Sequence, residues 1–308
     1  MSQNLTQTLI KDIKEKESML IDDIKKIEDA FESDVVVFKG IIEPKLVGHL
    51  LRMIKDTKSE NRNRLTIIMT SPGGEPASAI ELYHKLDDCK LYNELWIVAY
   101  GILQSAGTIF SFAADKLFVI DPIEGDSWSK FGMIDPQYPM SNSNTWVSVF
   151  ALMETYRYDC KFELDNSNVI TVNLIDLNES ATVYDDERYP RVQSYLKELR
   201  KFSGEIFNIL INHNLKNIHN KEEKALSIIK SSMKYDLYRH ESFIQPYVYE
   251  EMGLQMQRLN SDVKLKQAFY SLEAYIDRLS AHIYPDCGTV CNGNLLTCFI
   301  QSKSELLY

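Results

Sequence analysis

LTIIM at 65–69 runs into TSPGG at 70–74 and then into EPASAIELYHKLDD at 75–88. The apolar run suits a strand buried on both faces, the kind a parallel sheet uses. Ser71-Pro72-Gly73-Gly74 cannot continue it, because proline lacks an amide hydrogen and paired glycines turn the chain. Pro76 then opens a helix to about Asp88, since proline suits the first helical turn. The same alternation appears on both sides. VVVF at 35–38 reads as a strand, and Pro44 opens a helix to about Asp56 with Leu46, Leu50, Leu51 and Ile54 inward. LWIVAY at 95–100 is a strand, Gly101 to Gln104 a turn, Ser105 to Asp115 a helix, and LFVI at 117–120 a further strand. Short apolar strands alternating with helices predict an α/β fold with a mostly parallel sheet flanked by helices.

Farther out, Leu5, Leu9, Ile10, Ile13, Leu20, Ile24, Ile27 and Phe31 recur at helical spacing among charges, which predicts an amphipathic helix over 5–31. That stripe needs a partner surface, either the body of the protein or a neighbouring subunit. Residues 121–146 carry Pro122, Gly125, Gly132, Pro136 and Pro139 and read as a long functional loop. Residues 147–160 read as a helix, and 169–185 as a hairpin turning at Asn178-Glu179-Ser180. Helices are expected at 190–214 and 221–234, a strand at 254–259 after Gly253, and a closing helix at 261–283.

Lys and Arg total 34 against 44 Asp and Glu, a net charge of −10, which argues against a general duplex-DNA binder. No apolar run approaches the ~20 residues of a membrane helix. The polar start MSQNLTQTLIKDIKEKE lacks a signal-peptide core, so a cytoplasmic location is expected. Five cysteines, an odd number, fit a reducing compartment. Cys287, Cys291 and Cys298 lack the paired spacing of a zinc site, and neither metal nor cofactor is expected.

The chemistry concentrates in two glycine-bearing turns after two buried strands, Ser71–Gly74 and Gly101–Thr108. In a parallel sheet both lie at the strands' carboxyl ends, where sites form. Glycines leave backbone N–H groups uncovered, and such groups bind an oxyanion. Ser105 opens a helix beside small Ala106 and Gly107, and reads either as a nucleophile or as an ordinary N-cap. Neither turn fits a dinucleotide fingerprint, a P-loop or a GxSxG elbow.

TSPGGEPASAI, followed some thirty residues later by GILQSAGTIFSFAADK, resembles the Clp-protease/crotonase-like serine peptidases. SAGTIF at 105–110, GMIDPQ at 132–137, KYDLYRHESF at 234–243 and YEEMGLQM at 249–256 are more similar to the serine dehydrogenase proteinase family. The similarity covers about 34–137 and 215–280. It implies a serine-type peptidase, with Ser105 on the nucleophile and Gly73, Gly74 and Ala106 on the oxyanion positions. It also implies a homo-oligomer and a peptide or protein substrate. No His lies between His84 and His213, so the Clp triad is not reproduced. Lys130, in the loop after Ser105, and His240 are the two candidate bases, and Glu241 or Asp135 the candidate orienting acid. Each has a plain structural alternative: a solvated lysine, a histidine bonded to backbone, or a turn-forming aspartate before Pro136. Gln104 either lines the cleft or caps the turn.

The expected organisation is an N-terminal helical arm (1–33), a Clp/crotonase-like peptidase domain (34–284) with a β-hairpin insertion near 165–187, and a C-terminal tail (285–308). A catalytically inactive assembly or scaffold module is the alternative function. An acyl-CoA enzyme is a third, which would want a carboxylate beside the oxyanion site.

Overall fold

A computed structural model of the chain describes residues 22–120, 129–139, 146–177, 188–233, 243–259, 265–271 and 298–301. Over 22–120 the elements run in the order the hydrophobic pattern predicts. Residues 22–31 form α1. Then come β1 (Asp34–Lys39), α2 (Pro44–Thr57), β2 (Arg64–Ser71), α3 (Pro76–Cys89), β3 (Glu94–Leu103), α4 (Ala106–Ser111) and β4 (Lys116–Val119). The second half adds β5 (Lys130–Gly132), β6 (Gln137–Pro139), β7 (Trp146–Ser148), α5 (Val149–Thr155), β8 (Tyr158–Leu164) and β9 (Ile170–Asp176). It closes with α6 (Arg188–Asn212), α7 (Lys221–Met233), β10 (Phe243–Ile244), α8 (Pro246–Glu251), β11 (Met256–Arg258), α9 (265–271) and β12 (Cys298–Gln301). The protein is mixed α/β, with a mostly parallel sheet flanked by helices. The main sheet runs β10-β5-β3-β2-β1-β12, and β4 pairs β3 and β11. Only β10 and β12 run antiparallel to their neighbours in it.

Both faces of this sheet are buried, and the alternation along each strand shows it. Val36 and Phe38 enter one core with Ile67, Met69, Ile97 and Ala99. Val35 and Val37 enter the other with Ile68, Trp96 and Val98. Side chains of a strand point alternately to opposite faces, so an unbroken apolar run is what two covers require. The second core is closed by Ile24, Ile27 and Phe31 of α1 and by Leu265 and Phe269 of α9. Phe31 packs its ring on Trp96 and Phe118 at 5.6 and 5.1 Å. The described part of the N-terminal stripe therefore finds its partner surface within the same chain. Among the described residues no helix is long and apolar enough to cross a membrane.

The structure departs from the pattern reading in four places. The strand 95–100 continues to Leu103, because β5 and the end of β2 give it partners beyond Tyr100. The helix expected over 105–115 is shorter, ending at Ser111. The loop 121–146 contains β5, β6 and the start of β7. The helix expected over 147–160 stops at Thr155, and Tyr158–Leu164 is a strand whose partner is Ile170–Asp176. The hairpin these two strands form turns at 165–169. Asp165 Oδ1 accepts hydrogen bonds from the amides of Ser167 and Val169, and Asn168 takes φ 57°. An Asx turn of that kind is what DNSN at 165–168 encodes, and buried Tyr158, Cys160 and Phe162 carry the period-two signal. Positions 178–180, Cys287 and Cys291 lie outside the described residues. Cys298, placed by the sequence in a tail, begins β12 against β1.

Asp115, in the turn between α4 and β4, fastens the start of the sheet to the end of α6. Its Oδ2 accepts from the Leu95 amide at 2.8 Å, and Lys216 Nζ pairs with Oδ1. Burial pushes the carboxyl up, but His213, Lys216 and the Leu95 amide outweigh it and bring its pKa from the ordinary 3.8 to about 2. A depressed folded-state pKa contributes stability that is complete above the unfolded value and lost as pH falls toward about 2. Asp115→Asn is therefore expected to lower the thermal midpoint at neutral pH. The wild-type and variant curves are expected to converge as acid is added, read by circular dichroism melts across that range.

Candidate functional site at the ends of β2 and β3

β2 and β3 separate from simple register where they leave the core. Met69 pairs with Ala99 and Ser71 with Leu103, so Thr70 alone faces Tyr100, Gly101 and Ile102. The extra residues bulge β3, and a bulge bends its strand and re-aims the side chains beyond it. Gly101 takes φ 77° there, and Thr70 Oγ1 closes the bulge by donating to the Ile102 carbonyl at 3.1 Å. The Gln104 amide donates to Ser71 O at 2.9 Å, holding the turn after β3 against the end of β2.

Ser105 comes next, at φ 46° and ψ −108°. That combination lies outside the regions open to an L-residue and costs of order 1–3 kcal/mol, so the surrounding structure must impose it. The residue sits at the N-cap position of α4, yet its side chain makes no capping bond. Nor does its hydroxyl make any hydrogen bond among the described residues. Side-chain capping therefore does not explain this serine, and the residue remains 8 % exposed. Its setting is rigid. Thr108 Oγ1 lies 2.7 Å from Leu103 O and 2.9 Å from Gly132 O, tying α4 to β3 and β5. The Gly107 amide donates to Gln104 O at 2.7 Å. Gln104 lays its side chain on Gly132, where a Cβ would stand 2.6 Å from its Cγ.

The SPGG turn packs directly on this serine. Gly73 has φ 110°, and a Cβ there would stand 3.2 Å from Gln104 O and 3.3 Å from Ser105 Cβ. Gly74 has φ 138°, and a Cβ there would stand 2.1 Å from Ile42 O. The pressure on Gly74 thus comes from the backbone of Ile42, which bridges it and receives the Glu75 amide at 2.8 Å. The three backbone N–H groups differ. The Gly73 amide donates to Ser71 Oγ at 3.1 Å, while those of Gly74 and Ala106 have no acceptor among the described residues. Ser71, fully buried, is the residue the motif reading passed over: its hydroxyl fixes the turn and occupies the Gly73 amide.

The remaining candidates are not gathered around Ser105. Lys130 pairs with Ile102 across β5–β3, and its ammonium lies over the Phe243 ring at 5.9 Å. Asp135 is buried and accepts from Gln137 Nε2 at 2.7 Å and Ser148 Oγ at 2.6 Å, which anchors the β6–β7 hairpin. His240 and Glu241 lie outside the described residues. Among the described residues no three His, Cys, Asp or Glu side chains group as metal ligands would.

No protein-family model matches the sequence, and neither does any curated protein. Among solved structures the fold is similar to the 1510-N membrane-bound stomatin-specific protease in a mutant form. The identity is 14 % and the TM-score 0.40, over 76 % of this chain and 82 % of that one. A superposition that loose carries no functional argument.

Two glycine substitutions separate the constrained turn from ordinary helix. Gly74→Ala forces Cβ into the Ile42 backbone and is expected to cost about 2 kcal/mol or more. Gly48→Ala, at an exposed position of α2 with nothing within 4 Å, is expected to stabilise by roughly 0.5–1 kcal/mol. Urea unfolding measures both, and equal effects would remove the constraint assigned to Gly74.

Proposed function

We propose that the chain is a serine-type peptidase of the Clp/crotonase-like group, similar to the serine dehydrogenase proteinases, with Ser105 as nucleophile. The observation that carries the reading is Ser105 itself. It is a non-glycine residue held at φ 46°, ψ −108°, its hydroxyl unengaged, beside a turn of two positive-φ glycines. Strain of this kind is kept where a side chain must be aimed. Ser105 Oγ attacks the substrate carbonyl. The Gly74 and Ala106 amides, which have no internal acceptor, hold the oxyanion. Gly73 supplies the close backbone approach rather than a donor, because Ser71 Oγ takes its N–H.

The proton goes to Lys130 or His240. Asp135 is committed to Gln137 and Ser148, which leaves Glu241 as the acid able to orient a histidine base. Residues 34–284 are the catalytic domain, working as a cytoplasmic homo-oligomer on peptide or protein substrates. One observation favours the second reading, an inactive assembly module: no described side chain offers an acceptor to the Ser105 hydroxyl.

A fluorophosphonate probe decides between them. Wild type is expected to label, and Ser105→Ala to lose both labelling and peptide hydrolysis, by about a thousandfold or more in rate. Of Lys130→Ala and His240→Ala, the one that abolishes labelling in folded protein identifies the base. Unlabelled, folded wild type would replace the peptidase reading with the assembly module.

A further inference from the structure

Away from Ser105, a cavity of about 340 Å³ opens between α5, β8 and α7. Its apolar walls come from Phe150 and Met153 of α5, Tyr158, Cys160 and Phe162 of β8, and Leu177 just beyond β9. The volume falls at the lower end of small-ligand sites, which run roughly 300–1,000 Å³. Of the ten lining residues six are apolar or aromatic, and Glu154, Asp159, Lys161 and Lys230 carry charge.

The polar groups are unequal. Lys161 is paired with Glu163 at 2.5 Å, and Glu163 also accepts from Asn173 Nδ2 at 3.2 Å. Asp159 is exposed and accepts the Cys160 amide through Oδ1. Glu154 is exposed as well. Lys230, on α7, is half-buried and has no hydrogen-bond or ion-pair partner among the described residues. The nearby acid, Glu163, is already bonded to Lys161 and Asn173. Lys230 feels the Glu163 carboxylate through space without a hydrogen bond or ion pair to it, so its ammonium keeps donors that an incoming carboxylate can use.

We propose that this cavity binds an amphipathic aliphatic carboxylate of the medium-chain fatty acid class. The chain lies among Phe150, Met153 and Phe162, and the carboxylate accepts from Lys230 Nζ. The exposed acids Glu154 and Asp159 repel an anionic head, so Lys230 sets the ligand's orientation. The site is separate from Ser105 and does not depend on the peptidase reading.

Titration calorimetry of the full chain with decanoate, decanol and decylamine tests this. Decanoate is expected to bind about tenfold or more tighter than decanol, the effect of one charge-assisted hydrogen bond, and decylamine weakest. Lys230→Met is expected to bring decanoate to the level of decanol, while Lys230→Arg keeps the preference. Circular dichroism checks that each variant is folded. If Lys230→Met does not fold, the head-group series on wild type and Lys230→Arg still decides. Equal binding of decanoate and decanol by wild type overturns the proposal. So does a retained preference in folded Lys230→Met, or no measurable decanoate binding. Tighter binding of an acetylated peptide ending in Leu-Leu-carboxylate than of decanoate would make the cavity a peptide C-terminus site instead, and the fatty-acid assignment would fall.

Discussion

The approach of the Gly73–Gly74 backbone to Ser105 is the contact on which the rest of this site depends. A Cβ at Gly73 would be tight against Gln104 and Ser105, and one at Gly74 has no room against Ile42. Two loops from neighbouring strands can come this close only where side chains are absent and the backbone adopts positive φ. The bulge in β3 is the other half of the arrangement. Three residues opposite Thr70 lift the chain so that Ser105 emerges beside the glycines instead of continuing the ladder.

The two hydrophobic cores make that contact rigid. β2 and β3 are central strands, covered on one face by α2, α3 and α4 and on the other by α1 and α9. Strands clamped on both faces cannot slide to relieve strain at their ends. The cost of holding Ser105 in a disfavoured conformation is thus offset by apolar burial far from it. Gly107 against Ser71, and Thr108 between Leu103 and Gly132, carry the constraint from the sheet into α4.

Buried carboxylates do mechanical work throughout the molecule. Asp34 accepts from the Ser59 amide and hydroxyl and from Tyr92, joining β1 to the segments after α2 and α3. Burial, and then the charge of Asp34, push the Tyr92 phenol up, which keeps it a donor. Asp115 and Asp135 act in the same way on α6 and on the β6–β7 hairpin. Asp135, a possible orienting acid by motif, is in this structure bonded to Gln137 and Ser148.

The sequence by itself determined the strand–helix alternation, the parallel sheet and the Ser71–Gly74 turn. Those features rest on period-two and period-3.6 burial and on the backbone limits of proline and glycine, which are local properties. It also singled out Ser105, but left it divided between nucleophile and N-cap, because composition does not state where a hydroxyl points. The hairpin of 158–176 was legible in DNSN and in alternating Tyr158, Cys160 and Phe162, yet its strand was read as the end of a helix. Only the tertiary structure decided the backbone conformation of Ser105, the β3 bulge, the capture of the Gly73 amide by Ser71 and the attachment of Asp135 to Ser148. The Ser71–Gly73 bond is local, two residues apart; the others depend on residues brought together from separate parts of the chain, and no local pattern encodes which donor a given acceptor will meet after packing.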